Sequence, residues 1–491
     1  MSIPPIDPPS GGANVVETIR VDQDLTIGAG TTLYAANLFR LLQSGDASNG
    51  VFADLNNAGT LWVTGTSGAE LLYGRNFGSV TNSGTMVAQA TGGSAYTINV
   101  TSAFQGLTNS GRIYAIGTVA ATTVTDWTGL EFVNSGILAA QGGTQSTTIV
   151  RANGGRVVNH EGGSILSESA DAVAVYLGRG HLSGSAVGDL PDIENYGLIE
   201  ARSTGANTSV ALLVSHLALE DMDIVNRGTI RGDYAIYANS GELTPTQHSP
   251  ESVINETGAL IEGAVWLDLG DDAIVNRGTI RGYIDMGEGD DRIDNRGGVI
   301  VGVANLGWGN DVFQGGALAD AATGDRGDDT ILGGGGSDLL LGGFGNDTLT
   351  GGAGNDGLYG EGGNDVIYTA EGDRVFGGAG NDSIVLGDYR FHSIVGGDGH
   401  DLLVLPAGAR VLDMQQVAAS QRITGIEELR LSTGGEIVLR GADIAALSGG
   451  SLLTITGAGT VDLAGSWSIG SAVTVGGVTY ASYTQGGATV R

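Results

Sequence analysis

GDRGDDTIL GGGGSDLLL GGFGNDTLT GGAGNDGLY GEGGNDVIY, residues 324–368, is a tandem repeat of nine residues. The frame begins at residue 306, and after a one-residue deletion it resumes at residues 377–385 and 396–404. The eighth position of the clear units is a large apolar residue: Phe313, Ile331, Leu340, Leu349, Leu358, Ile367, Ile384 and Leu403. A period of nine does not fit a helix, whereas it is typical of stacked coils. The six residues Gly-Gly-x-Gly-x-Asp of each unit therefore predict a tight turn, and the other three residues predict a short strand.

The sixth position of the repeat carries an aspartate that recurs in two rows. Because two units complete one coil, equivalent carboxylates are expected to stack at every second unit. The longer set, row one, consists of Asp272, Asp291, Asp311, Asp329, Asp347, Asp365, Asp382 and Asp401. Row two consists of Asp320, Asp338 and Asp356.

Carboxylates beside glycine turns predict a hard cation bound by oxygen atoms. Ca²⁺ accepts carboxylate and carbonyl oxygens in flexible geometry, whereas Mg²⁺ demands a stricter octahedron and transition metals prefer nitrogen or sulfur. We expect several calcium ions, held by these aspartates and by the turns around the fourth-position glycines, Gly327, Gly336, Gly345, Gly354, Gly363 and Gly380. Extracellular modules bind calcium at about 10⁻⁴–10⁻³ M, so such sites would fill outside the cell and couple folding to export.

The composition excludes several classes of function. The 491-residue chain has 54 acidic residues against 22 Lys and Arg, a net charge of −32 that nucleic acid would repel. It has no cysteine, which excludes disulfides and thiolate chemistry. It has no apolar run of about 18 residues that could form a transmembrane helix. Acidity of this degree favours divalent counterions, because self-repulsion otherwise destabilises a compact state.

An Asn-x-Gly motif followed by an apolar strand recurs upstream of the nonapeptides. It begins at Asn57, Asn82, Asn109, Asn134, Asn195, Asn226, Asn276 and Asn295, with looser versions at Asn159 and Asn255. The spacing predicts the coils of a parallel β-helix with this motif at one corner, where Asn and Gly would adopt left-handed turns. The arginines beside the corner are expected to pair with acidic residues on adjacent coils; they are Arg227, Arg231, Arg277, Arg281 and Arg296.

These patterns together predict an all-β fold, a parallel β-helix that continues as one solenoid into a calcium-bound β-roll. We expect an extended leader over residues 1–20, the β-helix over 21–265, the roll over 266–405 and a C-terminal β-rich cap over 406–491. The cap is expected because the open edge of a solenoid otherwise invites aggregation.

GGFGNDTLTGGAGNDGLYGEGGNDVIY, residues 342–368, resembles the repeats-in-toxin (RTX) family of bacterial proteins exported by type I secretion. The stretch GVTYASYTQGGATV, residues 477–490, also resembles the tails of that family. The resemblance implies an RTX β-roll, calcium binding, and export through the type I secretion machinery with an uncleaved signal in residues 406–491. Residues 1–20 lack the basic and apolar segments of a signal peptide, which agrees with such a signal.

The RTX family includes surface-layer proteins, adhesins, toxins, proteases, lipases and epimerases, so the activity has to be judged from other residues. His160-Glu161 lacks the second histidine of a His-Glu-x-x-His zinc site, and no Gly-x-Ser-x-Gly elbow is present. A β-helix polysaccharide lyase or C5-epimerase stays open as an alternative, with histidines available at His181, His216 and His248.

The favoured hypothesis is a secreted structural protein that self-assembles at the bacterial cell surface as a layer, filament, matrix or adhesin. Its motivation is a solenoid that spans most of the chain without a recognisable catalytic motif. The expected partners are further copies of the chain and, through calcium, lipopolysaccharide or another anionic surface polysaccharide.

Overall fold

A computed structural model of the chain describes residues 13–14, 19–21, 23–36, 40–44, 53–126, 131–151, 156–178, 191–215, 222–239, 250–407, 411–413, 422–475 and 477–491. The chain divides into two compact units, Met1–Gly287 (the first unit) and Glu288–Arg491 (the second unit). Both consist almost entirely of short, mostly parallel strands, which confirms the predicted all-β solenoid class. Of the leader predicted over residues 1–20, residues 1–12 and 15–18 lie outside the described ranges.

The first unit is a parallel β-helix with three stacks of strands. The first stack consists of β1 (Ala13–Asn14), β4 (Thr32–Ala36), β7 (Thr60–Gly65), β9 (Thr85–Ala90), β11 (Arg112–Ile116), β14 (Ile137–Gln141), β17 (Ser164–Ser169), β20 (Leu198–Ser203), β23 (Thr229–Asn239), β25 (Leu260–Trp266) and β27 (Thr279–Arg281). The second stack consists of β2 (Ile19–Val21), β5 (Arg40–Ser44), β8 (Gly68–Asn82), β10 (Ser94–Asn109), β12 (Ala120–Asp126), β15 (Gln145–Arg151), β18 (Asp171–Leu177) and β21 (Val210–Ser215), and then runs through β23 and β25 to β28 (Ile284–Asp285). The third stack consists of β3 (Leu25–Ile27) and β6 (Leu55–Asn57), runs through β8 and β10, and continues with β13 (Glu131–Asn134), β16 (Arg156–Asn159), β19 (Ile193–Asn195), β22 (Met222–Asn226), β24 (Glu251–Asn255) and β26 (Ala273–Asn276).

The Asn-x-Gly corners of the first unit form a ladder of buried amides. Each asparagine closes a strand of the third stack, and its Nδ2 donates to Oδ1 of the next asparagine at 2.7–2.9 Å. The ladder runs through Asn57, Asn82, Asn109, Asn134, Asn159, Asn195, Asn226, Asn255 and Asn276. The regular motifs from Asn57 to Asn276 and the two looser versions therefore occupy one corner of the first unit, as the spacing predicted, whereas Asn295 in the second unit donates to Asp320.

The left-handed turn expected at this corner was wrong for the regular motifs. Among the described residues, positive φ outside glycine occurs at Asp268, Asp325 and Glu361, and the glycines of the regular motifs do not adopt it either. Those glycines are required by close stacking instead. A Cβ on Gly84 would lie 2.1 Å from the carbonyl oxygen of Gly59, one coil earlier. The looser motifs do contain left-handed glycines, Gly162 and Gly258.

Ion pairs join successive coils beside the same corner. Arg227 pairs with Glu194 at 2.8 Å on one neighbouring coil, and with Glu256 at 3.9 Å on the other. Arg231 and Arg277 also pair with glutamates of neighbouring coils, whereas Arg296 pairs with Asp294 two residues earlier. The expected pairing between coils is therefore confirmed for Arg227, Arg231 and Arg277.

The second unit contains a roll with two stacks of strands and, after it, a third stack. The first stack of the roll consists of β29 (Arg292–Asp294), β32 (Val312–Gln314), β34 (Thr330–Gly335), β36 (Thr348–Ala353), β38 (Val366–Thr369), β40 (Ser383–Leu386), β42 (Leu402–Leu405), β45 (Glu428–Leu431), β47 (Leu452–Gly457) and β53 (Ala488–Val490). The second stack consists of β31 (Ala304–Trp308), β33 (Ala321–Arg326), β35 (Leu339–Phe344), β37 (Gly357–Gly362), β39 (Arg374–Ala379), β41 (Ser393–Asp398) and β44 (Ile423–Thr424). The other strands are β30 (Val299–Val301), the stack β43 (Val411–Asp413), β46 (Glu436–Leu439) and β48 (Thr460–Leu463), and the strands β49 (Ser468–Ile469), β50 (Val473–Val475), β51 (Val478–Tyr480) and β52 (Tyr483–Gln485).

The register of the roll confirms that two nonapeptide units complete one coil. Phe313 lies beside Ile331, Ile331 beside Leu349, and Leu340 beside Leu358. All eight apolar residues predicted to face the core have no exposed surface. Each nine-residue repeat thus supplies one large apolar core residue. Burying such a side chain contributes about 1.5–3 kcal/mol to the free energy of folding.

Residues 422–491 continue the stacking and include a helix that the sequence pattern did not predict. The helix α1 (Gly441–Ser448) buries Ile444 and Leu447, and it ends at Gly449 in the left-handed conformation. No helix among the described residues is long and apolar enough to cross a membrane. The boundaries predicted at residues 265 and 405 stay predictions.

Candidate calcium sites

The aspartates of both rows are buried and are linked from coil to coil by hydrogen bonds. The backbone N–H of nine of them donates to Oδ1 of the aspartate one coil further along the chain, at 2.7–3.0 Å. In row one the bonds run from Asp291 through Asp311, Asp329, Asp347, Asp365 and Asp382 to Asp401, and in row two from Asp320 through Asp338 and Asp356 to Asp373. The predicted stacking is confirmed, while the role of these residues as ligands stays a proposal.

Asp373 is a member of row two that sequence reasoning missed. It follows the one-residue deletion, in the segment TAEGDRVFG (369–377), which lacks the paired glycines of a regular unit. One signal could have found it, because Asp373 precedes the buried Val375 by two residues, as Asp356 precedes Leu358.

The second oxygen of seven aspartates is buried and has no hydrogen-bond partner. These are the Oδ2 atoms of Asp329, Asp338, Asp347, Asp356, Asp365, Asp382 and Asp401. Each lies against the first-position glycine of its own unit, 2.1–2.5 Å from where a Cβ on that glycine would be. Five of these glycines also have a carbonyl oxygen near the same Cβ position, at 2.4–2.8 Å. It belongs to the first-position glycine of the next coil, as Gly360 does for Gly342. The arrangement, called the cradle below, brings a carboxylate oxygen and a carbonyl oxygen together.

The fourth-position glycines hold the turns in shape. Gly327, Gly336, Gly345, Gly354, Gly363 and Gly380 all have φ between 119° and 152°, a region that other residues rarely adopt. A Cβ on Gly345 would also lie 1.8 Å from the carbonyl oxygen of Gly327, one coil earlier. These glycines therefore set the turn backbone, and the use of their carbonyl groups as ligands stays a proposal.

The ends of the rows depart from the cradle. Asp272, Asp291 and Asp311 are buried like the others, but the first position of their units holds Leu267, Met286 and Leu306 in place of glycine. At one end of row two, both oxygens of Asp320 accept hydrogen bonds, from Asn295 Nδ2 and from the N–H of Gly316. At the other end, Asp373 accepts from the N–H groups of Ala370 and Asp356. Of the eleven predicted aspartates, the structure thus places Oδ2 of seven against the first-position glycine of their own unit, five of them together with the carbonyl oxygen of the first-position glycine one coil further on.

Burial disfavours the ionised form of these carboxyl groups and so raises their pKa. It raises the pKa of Asp329 and Asp347 to about 7, with nearby carboxylates adding to the shift and the N–H donated to Oδ1 opposing it. Burial likewise raises the pKa of Asp338, Asp365, Asp382 and Asp401 to about 6. A cation beside Oδ2 would reverse this effect, because an opposite charge favours the ionised form.

The donor set fits calcium. Carboxylate and carbonyl oxygens are the ligands that Ca²⁺ takes, and the unpartnered Oδ2 atoms are the polar groups that a cation would satisfy. Within the described ranges no three Asp, Glu or His side chains converge as a metal site. Each cradle instead places one carboxylate oxygen near one backbone carbonyl oxygen. Of the histidines considered for catalysis, His181, His216 and His248 lie outside the described residues.

Stacked glycine turns that present one buried carboxylate per unit define a calcium-binding parallel β-roll. The family model of the RTX calcium-binding nonapeptide repeat matches residues 306–340, 341–373 and 368–388, so this part of the chain carries RTX repeats. RTX repeats bind multiple calcium ions and indicate a type I secreted protein. No curated protein and no solved structure matches the chain.

Gly342→Ala is expected to destroy the cradle of Asp347. The new Cβ would lie 2.3 Å from Asp347 Oδ2 and 2.8 Å from the carbonyl oxygen of Gly360. Moving either oxygen should weaken calcium binding at this position about tenfold or more, equivalent to about 1.4 kcal/mol, as measured by titration calorimetry. Gly335→Ala is the matched control, because the nearest atom to its Cβ is 3.7 Å away. An equal loss in both variants would contradict the role given to the first-position glycine.

Proposed function

We propose that this chain is a secreted structural protein, ordered by calcium, that self-assembles at the bacterial cell surface. The observation that carries the proposal is the set of seven buried carboxylate oxygens without a hydrogen-bond partner, which a row of calcium ions would satisfy. Calcium would then be part of the folded structure and would not act in a reaction. Because binding free energy becomes folding free energy, the roll would become rigid where calcium is plentiful.

The stacked contacts of the first unit also support a structural role. Asparagine amides and arginine–glutamate pairs hold each coil to the next along the third stack and beside it. The side chains at the corner thus hold neighbouring coils together, as expected of a solenoid, in which each coil is stabilised by its neighbours.

The surface of the roll offers a means of assembly. The residues on either side of the first buried residue of β33, β35, β37, β39 and β41 include no acidic side chain: Ala321, Thr323, Leu339, Leu341, Gly357, Tyr359, Arg374, Phe376, Ser393 and Val395. The acidic residues of these strands, Asp325, Glu361 and Asp398, lie towards their other end. Leu339 is 47% exposed, and Tyr359 and Phe376 stack with their ring centroids 4.8 Å apart. In a chain of net charge −32, a partly apolar region without acidic side chains is where further copies could approach with the least repulsion.

Light scattering and circular dichroism of the full chain test the proposal as calcium rises from chelator to about 10 mM, above the range of extracellular calcium modules. We expect β-structure to increase and ordered particles to form together. Repeating the titration with lipopolysaccharide asks whether an anionic polysaccharide nucleates the assembly. A chain that folds with calcium but stays monomeric with and without the polysaccharide would contradict self-assembly.

A polysaccharide lyase or C5-epimerase is the second candidate, and one feature of the first unit favours it. A groove of about 700 Å³ is lined by Glu200, Arg202, Ser209, Arg231 and Asp233, among others. Arginine side chains bind carboxylates, so Arg202 and Arg231 could hold a uronate chain by exchanging the glutamates with which they pair. Cleavage of a polyuronate by the purified protein, abolished in Arg231→Ala, would favour this candidate.

A further inference from the structure

The last aspartate of row one, Asp401, lies opposite a segment that contains no nonapeptide. In the earlier coils two groups of the following coil face each row-one aspartate. One is the next aspartate, whose Oδ1 accepts a backbone N–H, and the other is a first-position glycine, whose carbonyl oxygen lies beside Oδ2. The family match ends at residue 388, and residues 422–431 have no Gly-Gly-x-Gly-x-Asp unit.

Gly425 takes the place of the missing glycine. A Cβ on Gly396, the first glycine of the Asp401 unit, would lie 1.8 Å from the carbonyl oxygen of Gly425 and 2.5 Å from Asp401 Oδ2. One coil earlier, the corresponding point on Gly377 lies 2.4 Å from the carbonyl oxygen of Gly396 and 2.3 Å from Asp382 Oδ2. The same two kinds of oxygen therefore converge at the end of the row as within it.

Glu427 takes the place of the missing aspartate. Its Oε2 accepts the backbone N–H of Asp401 at 3.0 Å, the bond that the next aspartate makes elsewhere in row one. The N–H groups of Glu427 and Glu428 both donate to the carbonyl oxygen of Asp401, at 3.1 and 2.9 Å. The separation in sequence is 26 residues in place of 17–20, so a longer connection and a longer side chain reach the same position.

The buried carboxylate of Asp401 indicates that a ligand binds beside it. It has no exposed surface, and its Oδ2 has no hydrogen-bond partner. A buried carboxylate oxygen without a partner is costly, and a cation bound by oxygen atoms is the simplest group that removes the cost.

We infer that Asp401, the carbonyl group of Gly425 and Glu427 form a terminal calcium site, which lies outside the recognised repeats and ends row one. The inference rests on the proposed role of the row-one aspartates as calcium ligands. Its consequence is that calcium fastens residues 422–431 to the roll, although this segment carries no repeat of its own.

Glu427→Gln tests the site in the full chain, with calcium chloride as the only probe. The amide keeps an oxygen that can accept the N–H of Asp401 but removes the negative charge. By titration calorimetry the variant should bind one calcium ion fewer than the unaltered chain, or bind it about tenfold more weakly, which corresponds to about 1.4 kcal/mol. In hydrogen exchange, residues 423–431 should lose their calcium-dependent protection, while residues 339–353 keep theirs.

Two further variants make the result specific. Glu428→Gln is the matched control, because Glu428 accepts from the Thr456 hydroxyl and pairs with Arg430, and it should bind calcium like the unaltered chain. Glu427→Asp keeps the charge on a shorter side chain and should give an intermediate affinity. Unchanged calcium binding and unchanged protection of residues 423–431 in Glu427→Gln would overturn the terminal site and leave the repeat sites standing. A chain that takes up no calcium at all would overturn the proposed role of the rows as well.

Discussion

In calcium-free buffer at pH 7.5, residues 324–404 are expected to lose their stacked strands, while residues 53–126 keep theirs. The cause is the set of buried row-one and row-two carboxylates whose pKa lies at about 6 or 7. These values are about two to three units above that of an exposed aspartate, so ionising each group costs about 3–4 kcal/mol. A whole domain is stable by only about 5–15 kcal/mol, so ionising a few of these coupled groups is enough to unfold the roll.

Hydrogen exchange with and without a chelator measures this directly. The first unit serves as the internal control, because its asparagine ladder joins neutral amides and needs no cation. We expect protection of residues 330–385 to vanish in the chelator and to return when calcium is restored. Persistent protection of these residues in the chelator at pH 7.5 would show that the buried carboxylates are satisfied without a metal.

The two rows of stacked aspartates could be predicted because they depend on a repeat of fixed length. A spacing of two repeat units dictates which aspartates stack, and the register between β34, β36 and β38 follows it. The spacing could not reveal which stacked carboxylates stay free to bind a cation. Asp320 differs from Asp338 because Asn295, from outside its unit, and the N–H of Gly316, from within its unit, satisfy its oxygens.

The first unit shows a different limit of sequence reasoning. The recurrence of Asn-x-Gly was sufficient to place the corner, but propensity suggested left-handed turns where the chain instead buries an amide ladder. Glycine is required there because the carbonyl group of the preceding coil leaves no space for a Cβ, a contact between residues some 25 positions apart. The helix α1 was missed for a related reason, since GADIAALS is too short for its periodicity to stand out beside the strands that flank it.

Without calcium, acid should stabilise the roll. A carboxyl group whose pKa is higher in the folded state binds its proton more tightly there, so its stabilising effect is complete below about pH 3.9 and is lost as pH rises. For these aspartates the loss occurs as pH passes through about 6 to 7. Urea unfolding in a chelator should therefore have a higher midpoint at pH 5 than at pH 7.5. The free energy of unfolding should be larger at pH 5 by at least a few kcal/mol. With saturating calcium the order should reverse, because protons then compete with the cation for Oδ2.

Asp347→Asn separates this effect from the general relief of negative charge. Asparagine keeps the oxygen that accepts the N–H of Asp329, but it cannot ionise. Because the pKa of Asp347 is about 7, the substitution should stabilise the calcium-free roll by about 3–4 kcal/mol at pH 7.5, by about 1–2 kcal/mol at pH 5, and hardly at all below about pH 4. With calcium the same substitution removes a charged ligand and should destabilise the roll. Asp328→Asn, one residue before Asp329 and exposed, removes the same charge without the buried cradle and serves as the control. A substitution that stabilises one form and destabilises the other is the result expected of a metal ligand, whereas replacing a carboxyl group that binds no metal would have the same effect with and without calcium.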